Sequence, residues 1–141
     1  MEFTQFSQFI QENYLYAALA LISGSLLIYQ TVQGRGLTIS PQAATLMINR
    51  EDALVIDVRE PREWTAGHIP CARHIVRDQL DKRIREIERY KTRAIIVNCQ
   101  NGVRSVMACN KLRKRGFEKV YNLEGGLDAW REAGLPVTEK N

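Results

Sequence analysis

Two short runs constrain this chain more than any other feature. Ala53-Leu54-Val55-Ile56-Asp57-Val58 and Ala94-Ile95-Ile96-Val97-Asn98 are apolar at consecutive rather than alternate positions. A strand with one face in water alternates apolar and polar side chains, whereas a short continuous β-branched run reads as a strand covered on both faces. Cover on both faces requires helical layers above and below the sheet, and the rest of the chain supplies helices. Ser40-Pro41 opens one that runs to Ile48, with Ser40 at the N-cap and Pro41 at the first helical position. Glu60-Pro61 opens a short one through Trp64, ended by Gly67. From Asp78 to Tyr90, Leu80, Ile84 and Ile87 fall on one helical face. Val103 to Arg115 reads as a helix stopped by Gly116, and Leu127 to Ala133 as one closed by Gly134. Ala72–Val76 and Lys119–Leu123 read as further strands. Strands alternating with helices predict an α/β fold with a mostly parallel central sheet, and 141 residues suffice for one such domain.

In such sheets ligands meet the carboxyl ends of the strands, where Asp57 and Cys99 both fall. Cys99-Gln100-Asn101-Gly102-Val103-Arg104 leads from a strand end into a helix N-terminus. Successive N–H groups in a Gly-containing turn can converge on one point, the helix dipole adds positive potential, and Arg104 adds a full charge. These influences favour a thiolate: at an ordinary pKa near 8.5 only about 3% of a thiol is ionised at pH 7. Cys99 is therefore the candidate nucleophile. Gln100, Asn101, Gly102, Val103 and Arg104 form the candidate substrate cradle, with Arg104 able to fork onto an oxyanion. Asp57 and Arg59, at another strand end, are the candidate supporting pair: they brace the cysteine loop or else touch substrate. Glu63, Trp64, Gly67 and His68 read as structural, Cys109 as core packing, and Gly125-Gly126 as a tight turn or a close backbone approach. The three cysteines form no CxxC pair and there are only two histidines, so neither a metal site nor a disulfide framework is expected.

The charge is split along the chain. Residues 1–33 hold Glu2 and Glu12 and no basic residue. The rest hold all 20 basic residues and the other 14 acids, a balance of +6. Basic residues between 77 and 93 are interleaved with acids, so no nucleic-acid partner is expected. Tyr14 to Val32 is uncharged and largely apolar; as a helix it would be roughly 28 Å long, close to the thickness of bilayer hydrocarbon. Tyr14, Tyr16 and Tyr29 stand near its ends, where interfacial aromatics belong. The leader lacks the basic residues and small-residue cleavage site of a signal peptide. The expectation is a short extracytoplasmic N-terminus (1–13), one transmembrane helix (14–32), a linker (33–37), a folded domain (38–137) and a tail (138–141). Arg35 and Arg50 follow the span and nothing basic precedes it, which places the domain in the cytoplasm, anchored at the cell inner membrane.

Three motifs resemble one known family. Asp57-Val58-Arg59-Glu60-Pro61-Arg62-Glu63-Trp64-Thr65-Ala66-Gly67-His68-Ile69 resembles the D-x-R-x-x-x-E-[FYW]-x-x-G-H-I signature of the rhodanese domain. Cys99-Gln100-Asn101-Gly102-Val103-Arg104-Ser105 is similar to its active-site loop, C-x-x-G-x-R-S. Asn122-Leu123-Glu124-Gly125-Gly126-Leu127 with Trp130 resembles the closing L-x-G-G-x-x-x-W motif. The motifs keep the family's order over about residues 38–137, and the anchored layout is similar to certain small bacterial rhodanese proteins.

The resemblance implies a rhodanese-like three-layer sandwich and a sulfurtransferase. In this reading a donor such as thiosulfate passes sulfane sulfur to Cys99, and the persulfide passes it to a thiol or cyanide-like acceptor, or to a protein acceptor, with no cofactor. The family often has Gly where Cys71 stands, and some relatives carry a larger or charged side chain where Gln100 stands. Two alternatives remain open. One is a low-turnover rhodanese-fold binding module at the membrane. The other is a Cys-Arg loop phosphatase or arsenate reductase, although phosphatases of this kind resemble C-x5-R and the spacing here is C-x4-R.

Overall fold

The computed structural model describes residues 2–35 and 37–140, and the side chains of all of these except 31–35. The chain divides into two compact units, residues 1–36 and 37–141.

The first unit is helical: α1 (Glu2–Glu12) and α2 (Tyr14–Arg35). Only Asn13 separates them, and it keeps the ladder running. Its N–H and side-chain amide both donate to Phe9 O, and its carbonyl accepts from Ala17 N. The leader is thus a helix, with Phe3, Phe6, Phe9 and Ile10 exposed along it. In α2, Leu15, Leu19, Ile22, Leu26 and Ile28 are likewise exposed. Among the described residues no helix is long and apolar enough to cross a membrane. The described side chains of α2 end at Gln30, whereas the span expected from the sequence continues to Val32. The expected linker is also partly helical, because backbone bonding continues to Arg35 through Gly34, a residue that costs a helix about 1 kcal/mol without forbidding it. Gly36, within that linker, lies outside the described residues.

The second unit is built on five strands: β1 (Thr38–Ile39), β2 (Leu54–Asp57), β3 (Ala72–His74), β4 (Ala94–Asn98) and β5 (Lys119–Leu123). They lie in the order β1-β5-β4-β2-β3, and every pairing is parallel. The helices are α3 (Pro41–Glu51), α4 (Pro61–Thr65), α5 (Arg104–Lys114) and α6 (Gly126–Glu132). Ser40 caps α3 by accepting Ala43 N–H at 3.2 Å. Two apolar clusters cover the two faces of the sheet. Leu54, Ile56, Ile95, Val97 and Cys99 enter the one shared with Leu112 of α5. Val55, Ala94 and Ile96 enter the one shared with Ala44 of α3 and Trp130 of α6. Period-two alternation along β2 and β4 thus places Cys99 on the α5 side.

Two sequence expectations change. Residues 78–90 do not form one α-helix; they form two 3₁₀ segments, Arg77–Gln79 and Ile84–Tyr90. Arg83 sits between them at φ −104°, ψ 10°, outside helical geometry. Its guanidinium is held by the His74 carbonyl and the Glu86 carboxylate. Leu80 and Ile87 still reach the core, so the spacing of apolar residues is satisfied without a continuous helix. Thr138, expected in the tail, pairs with His68 through two 2.8 Å backbone bonds.

Candidate active site

The loop from Cys99 to Val103 joins β4 to α5, and its shape is imposed by α6. Leu127 N–H donates to Cys99 O at 2.8 Å and Asp128 N–H to Gln100 O at 3.0 Å. The C=O and N–H of a trans peptide point in opposite directions. Drawing these two carbonyls onto α6 therefore turns the N–H groups of Gln100 and Asn101 away from it. Neither N–H finds a protein acceptor among the described residues. The approach is close enough that only glycine fits. A Cβ on Gly126, at φ +58°, would overlap Cys99 O and lie 2.7 Å from the Gln100 carbonyl carbon. A Cβ on Gly102, at φ +86°, would lie a tight 3.0 Å from Gly125 N and 3.1 Å from Leu123 O.

Cys99 is fully buried, and its Sγ accepts the Gly102 N–H at 3.1 Å. It also lies 3.2 Å from Ser105 Oγ. Ser105 is bonded to Asn122 Oδ1, and Asn122 Nδ2 donates to Gly102 O at 3.0 Å. Asn101 Oδ1 accepts Val103 N–H at 3.2 Å, tightening the turn, while the Val103 side chain is exposed. The sulfur thus has polar neighbours from the loop and from α5.

The Gln100 side chain is tied to two neighbouring elements. Its oxygen accepts from Arg59 Nη1 at 3.0 Å and its amide donates to Asp128 at 2.5 Å. Arg59 and Asp57 form a buried pair in which Nε and Nη2 both reach the carboxylate, at 3.0 and 2.8 Å. Arg59 Nη2 also donates to Gly67 O at 2.7 Å, so one guanidinium ties β2, the end of α4 and the cysteine loop together. His74 Nε2 donates to Arg59 O, and His68 Nδ1 donates to Trp64 O. Both imidazoles stack on the Trp64 ring, and neither has a hydrogen bond to Cys99.

Arg104, on the first turn of α5, forks onto Glu63 of α4 at 3.0 and 2.6 Å. The Arg104 guanidinium holds the Glu63 carboxyl down to about 2, against partial burial and with help from the Glu60 N–H. In return Glu63 raises Arg104 above its ordinary value, with a smaller contribution from Cys99. The pair remains about one-third exposed. Four participants were not candidates on sequence: Glu63 as the Arg104 partner, Asp128, Ser105 and Asn122. Glu63 and Arg104 are 41 positions apart, and no local pattern links them. Ser105 and Asn122 appeared only as letters of longer motifs. Cys71 is exposed, and Cys109 lies buried in α5 with its thiol pushed up to about 12 by desolvation. No cluster of three metal-ligating side chains occurs among the described residues.

Comparison with known proteins agrees with this geometry. Residues 40–133 match the family described as "Rhodanese-like domain". A sulfurtransferase of Allochromatium vinosum is 37% identical over 91 residues, which cover 64% of this chain and 83% of that protein. YqhL of Bacillus subtilis is 47% identical over 78 residues, covering 55% of this chain and 60% of that protein. Among solved structures, a rhodanese-related protein from Thermoplasma volcanium superposes with a TM-score of 0.64 at 31% identity. The match covers 74% of this chain and 99% of that one.

Proposed function

This chain belongs to the rhodanese-like domain family, and from that premise we propose that it is a membrane-anchored sulfurtransferase that carries sulfane sulfur on Cys99. The observation that carries the reading is the Cys99 sulfur at the end of β4, accepting the Gly102 N–H inside a loop where the N–H groups of Gln100 and Asn101 have no protein acceptor among the described residues. Such N–H groups stabilise negative charge on sulfur as they would on any anion. With thiosulfate as donor, the Cys99 thiolate attacks the outer sulfur. A Cys99 S–S bond forms, the donor S–S bond breaks, and sulfite leaves with the electron pair. The persulfide anion rests against the loop. A thiol or cyanide acceptor then takes its outer sulfur, and the thiolate is restored. The attacking species is the thiolate, so the sulfur-transfer step itself needs no general base.

Arg104 assists donor binding by exchanging Glu63 for the donor's oxyanion, which the partial exposure of the pair permits. Asp57, Arg59 and Gln100 keep the loop in place. The phosphatase alternative is disfavoured by the four-residue spacing between Cys99 and Arg104.

The anchor is residues 14–32, with the domain on the cytoplasmic side of the inner membrane. Supporting it are the uncharged sequence of that span and the uncovered large apolar side chains of α2. The protein is expected in the membrane pellet after carbonate washing and in the soluble fraction when residues 1–32 are deleted. Cys71 is exposed, so a membrane-impermeant maleimide should label it only after cells are opened.

The experiment that tests the chemistry is intact mass after incubation with thiosulfate, beside Cys99→Ala, followed by a cyanide chase. A gain of about one sulfur (~32 Da) that requires Cys99 and is discharged by cyanide supports the persulfide carrier. A folded protein that gains nothing from thiosulfate or any other sulfane donor leaves the binding-module reading.

A further inference from the structure

The contacts of Ser105 hold more information than its place in a motif. Asn122, on β5, is nearly buried, and its amide orientation is fixed because Nδ2 donates to the Gly102 carbonyl. Its Oδ1 therefore faces Ser105 Oγ. An amide oxygen carries no proton, so the single hydroxyl proton of Ser105 must supply that bond. What Ser105 then turns toward Cys99 Sγ, 3.2 Å away, is a lone pair. A lone pair suits a neutral S–H donor and opposes a sulfur anion. For the hydroxyl to donate to an anionic sulfur, it must leave Asn122.

We propose that Asn122 is a positioning residue that competes with Cys99 for the Ser105 hydroxyl proton, and so restrains the free thiol while leaving the persulfide unaffected. Once an outer sulfur is attached, the negative charge sits on that outer atom and the inner sulfur no longer needs the proton. The hydroxyl then returns to Asn122. The competition thus weighs against the empty thiolate and not against the loaded enzyme. The inference rests on Cys99 being the nucleophile proposed above.

Other charged or titratable groups face the site from every element around it. From α5 there are Arg104 and Cys109, from α4 Glu63, from the end of β2 Asp57 and Arg59, and from α6 Asp128 through Gln100. Glu63, held at about 2, stays ionised across a neutral pH range, and Cys109, near 12, stays a thiol. Neither can generate the expected contrast.

The test is the rate of iodoacetamide alkylation at Cys99 across pH 5 to 9, read by peptide mass so that exposed Cys71 is counted separately. In the full-length protein Asn122→Ala should move the profile to lower pH and speed alkylation below its midpoint about three- to tenfold. Ser105→Ala should alkylate more slowly than Asn122→Ala by a similar factor, because it removes the hydroxyl that Asn122→Ala releases. In a Ser105→Ala background, Asn122→Ala should have no further effect. An equal effect of Asn122→Ala with and without Ser105 would mean that it acts only through the Gly102 carbonyl, and the proposal would be overturned. Should Asn122→Ala fail to fold, Ser105→Ala decides alone: alkylation well below the wild-type rate means the hydroxyl already serves the sulfur despite Asn122, which overturns the proposal. Alkylation needs no sulfur donor, so failure of persulfide formation from thiosulfate would not be confused with failure of this contrast.

Discussion

Two arginine–carboxylate pairs flank the cysteine loop, and they differ in one respect. Arg59–Asp57 is sealed, with the side chains 2% and 0% exposed, and Arg59 donates further to Gly67 O and Gln100. Arg104–Glu63 has equally good forked geometry, with side chains 36% and 30% exposed and no third protein partner among the described contacts of Arg104. The same chemistry serves two ends because water reaches one and not the other. A sealed ion pair cannot lose one member without leaving an unpaired charge in a low-dielectric interior. A pair at the surface is worth about 0–1 kcal/mol and can trade one anion for another. On the proposed function, the first pair builds the site and the second is available to use it.

The comparison would break most visibly at the buried pair. Arg59→Ala or Asp57→Ala should each destabilise the domain by about 3–5 kcal/mol, measured by urea denaturation. The paired replacement Asp57→Leu with Arg59→Met should cost less than either single change. If the single variants denature like the wild type, the pair is not a structural brace. Next in size is Gly126→Ala, whose Cβ would overlap the loop backbone at a positive φ. A loss of about 1–3 kcal/mol is expected, with a larger proportional loss of sulfur transfer, because the displaced atoms belong to the loop.

Arg104→Ala should separate the two pairs most sharply. Stability should change by no more than about 1 kcal/mol, while transfer from thiosulfate falls at least about tenfold, chiefly as a higher KM. Arg104→Lys should recover part of this, since a lysine supplies charge without the fork. A stability loss as large as that of Arg59→Ala would erase the distinction.

The smallest effect concerns pH. The Glu63 carboxyl is depressed to about 2 from an ordinary value near 4.5, so its contribution to stability is complete above about 4.5 and is lost as pH falls toward 2. The stability difference between wild type and Glu63→Gln should therefore be constant above pH 5 and shrink between pH 4.5 and 2. A difference that stays flat through that window would show that Glu63 acts only as a cap of α4.

Much of the fold was readable because burial leaves a local signature. Unbroken apolar runs at Leu54–Ile56 and Ala94–Val97 identify central strands whose neighbours lie on both sides. Ser40-Pro41 announces a helix start through backbone geometry alone. The 78–90 segment misled because Leu80, Ile84 and Ile87 have helical spacing, yet the helix is interrupted at Arg83, whose guanidinium bonds the His74 carbonyl, a contact no periodicity encodes. In the site, Cys99 and its loop were legible from the strand–turn–helix context. The partners that tune it were not: Glu63 meets Arg104, and Asn122 meets Ser105, only after the sheet has ordered its strands. Gln100 illustrates the same limit. Its place in the loop pointed to the backbone cradle, and no local pattern tells that its side chain reaches Arg59 and Asp128.

The docking of the cysteine loop on α6 has a consequence for synthesis. A ribosome produces Cys99 before Gly126, Leu127 and Asp128, and among the described residues β1 pairs only with β5, which also follows the cysteine loop in the chain. A nascent chain that ends short of α6 therefore carries the thiol without the two bonds that orient its loop, and its first strand has no neighbour. The loop that surrounds the sulfur takes its orientation only once the chain extends through α6.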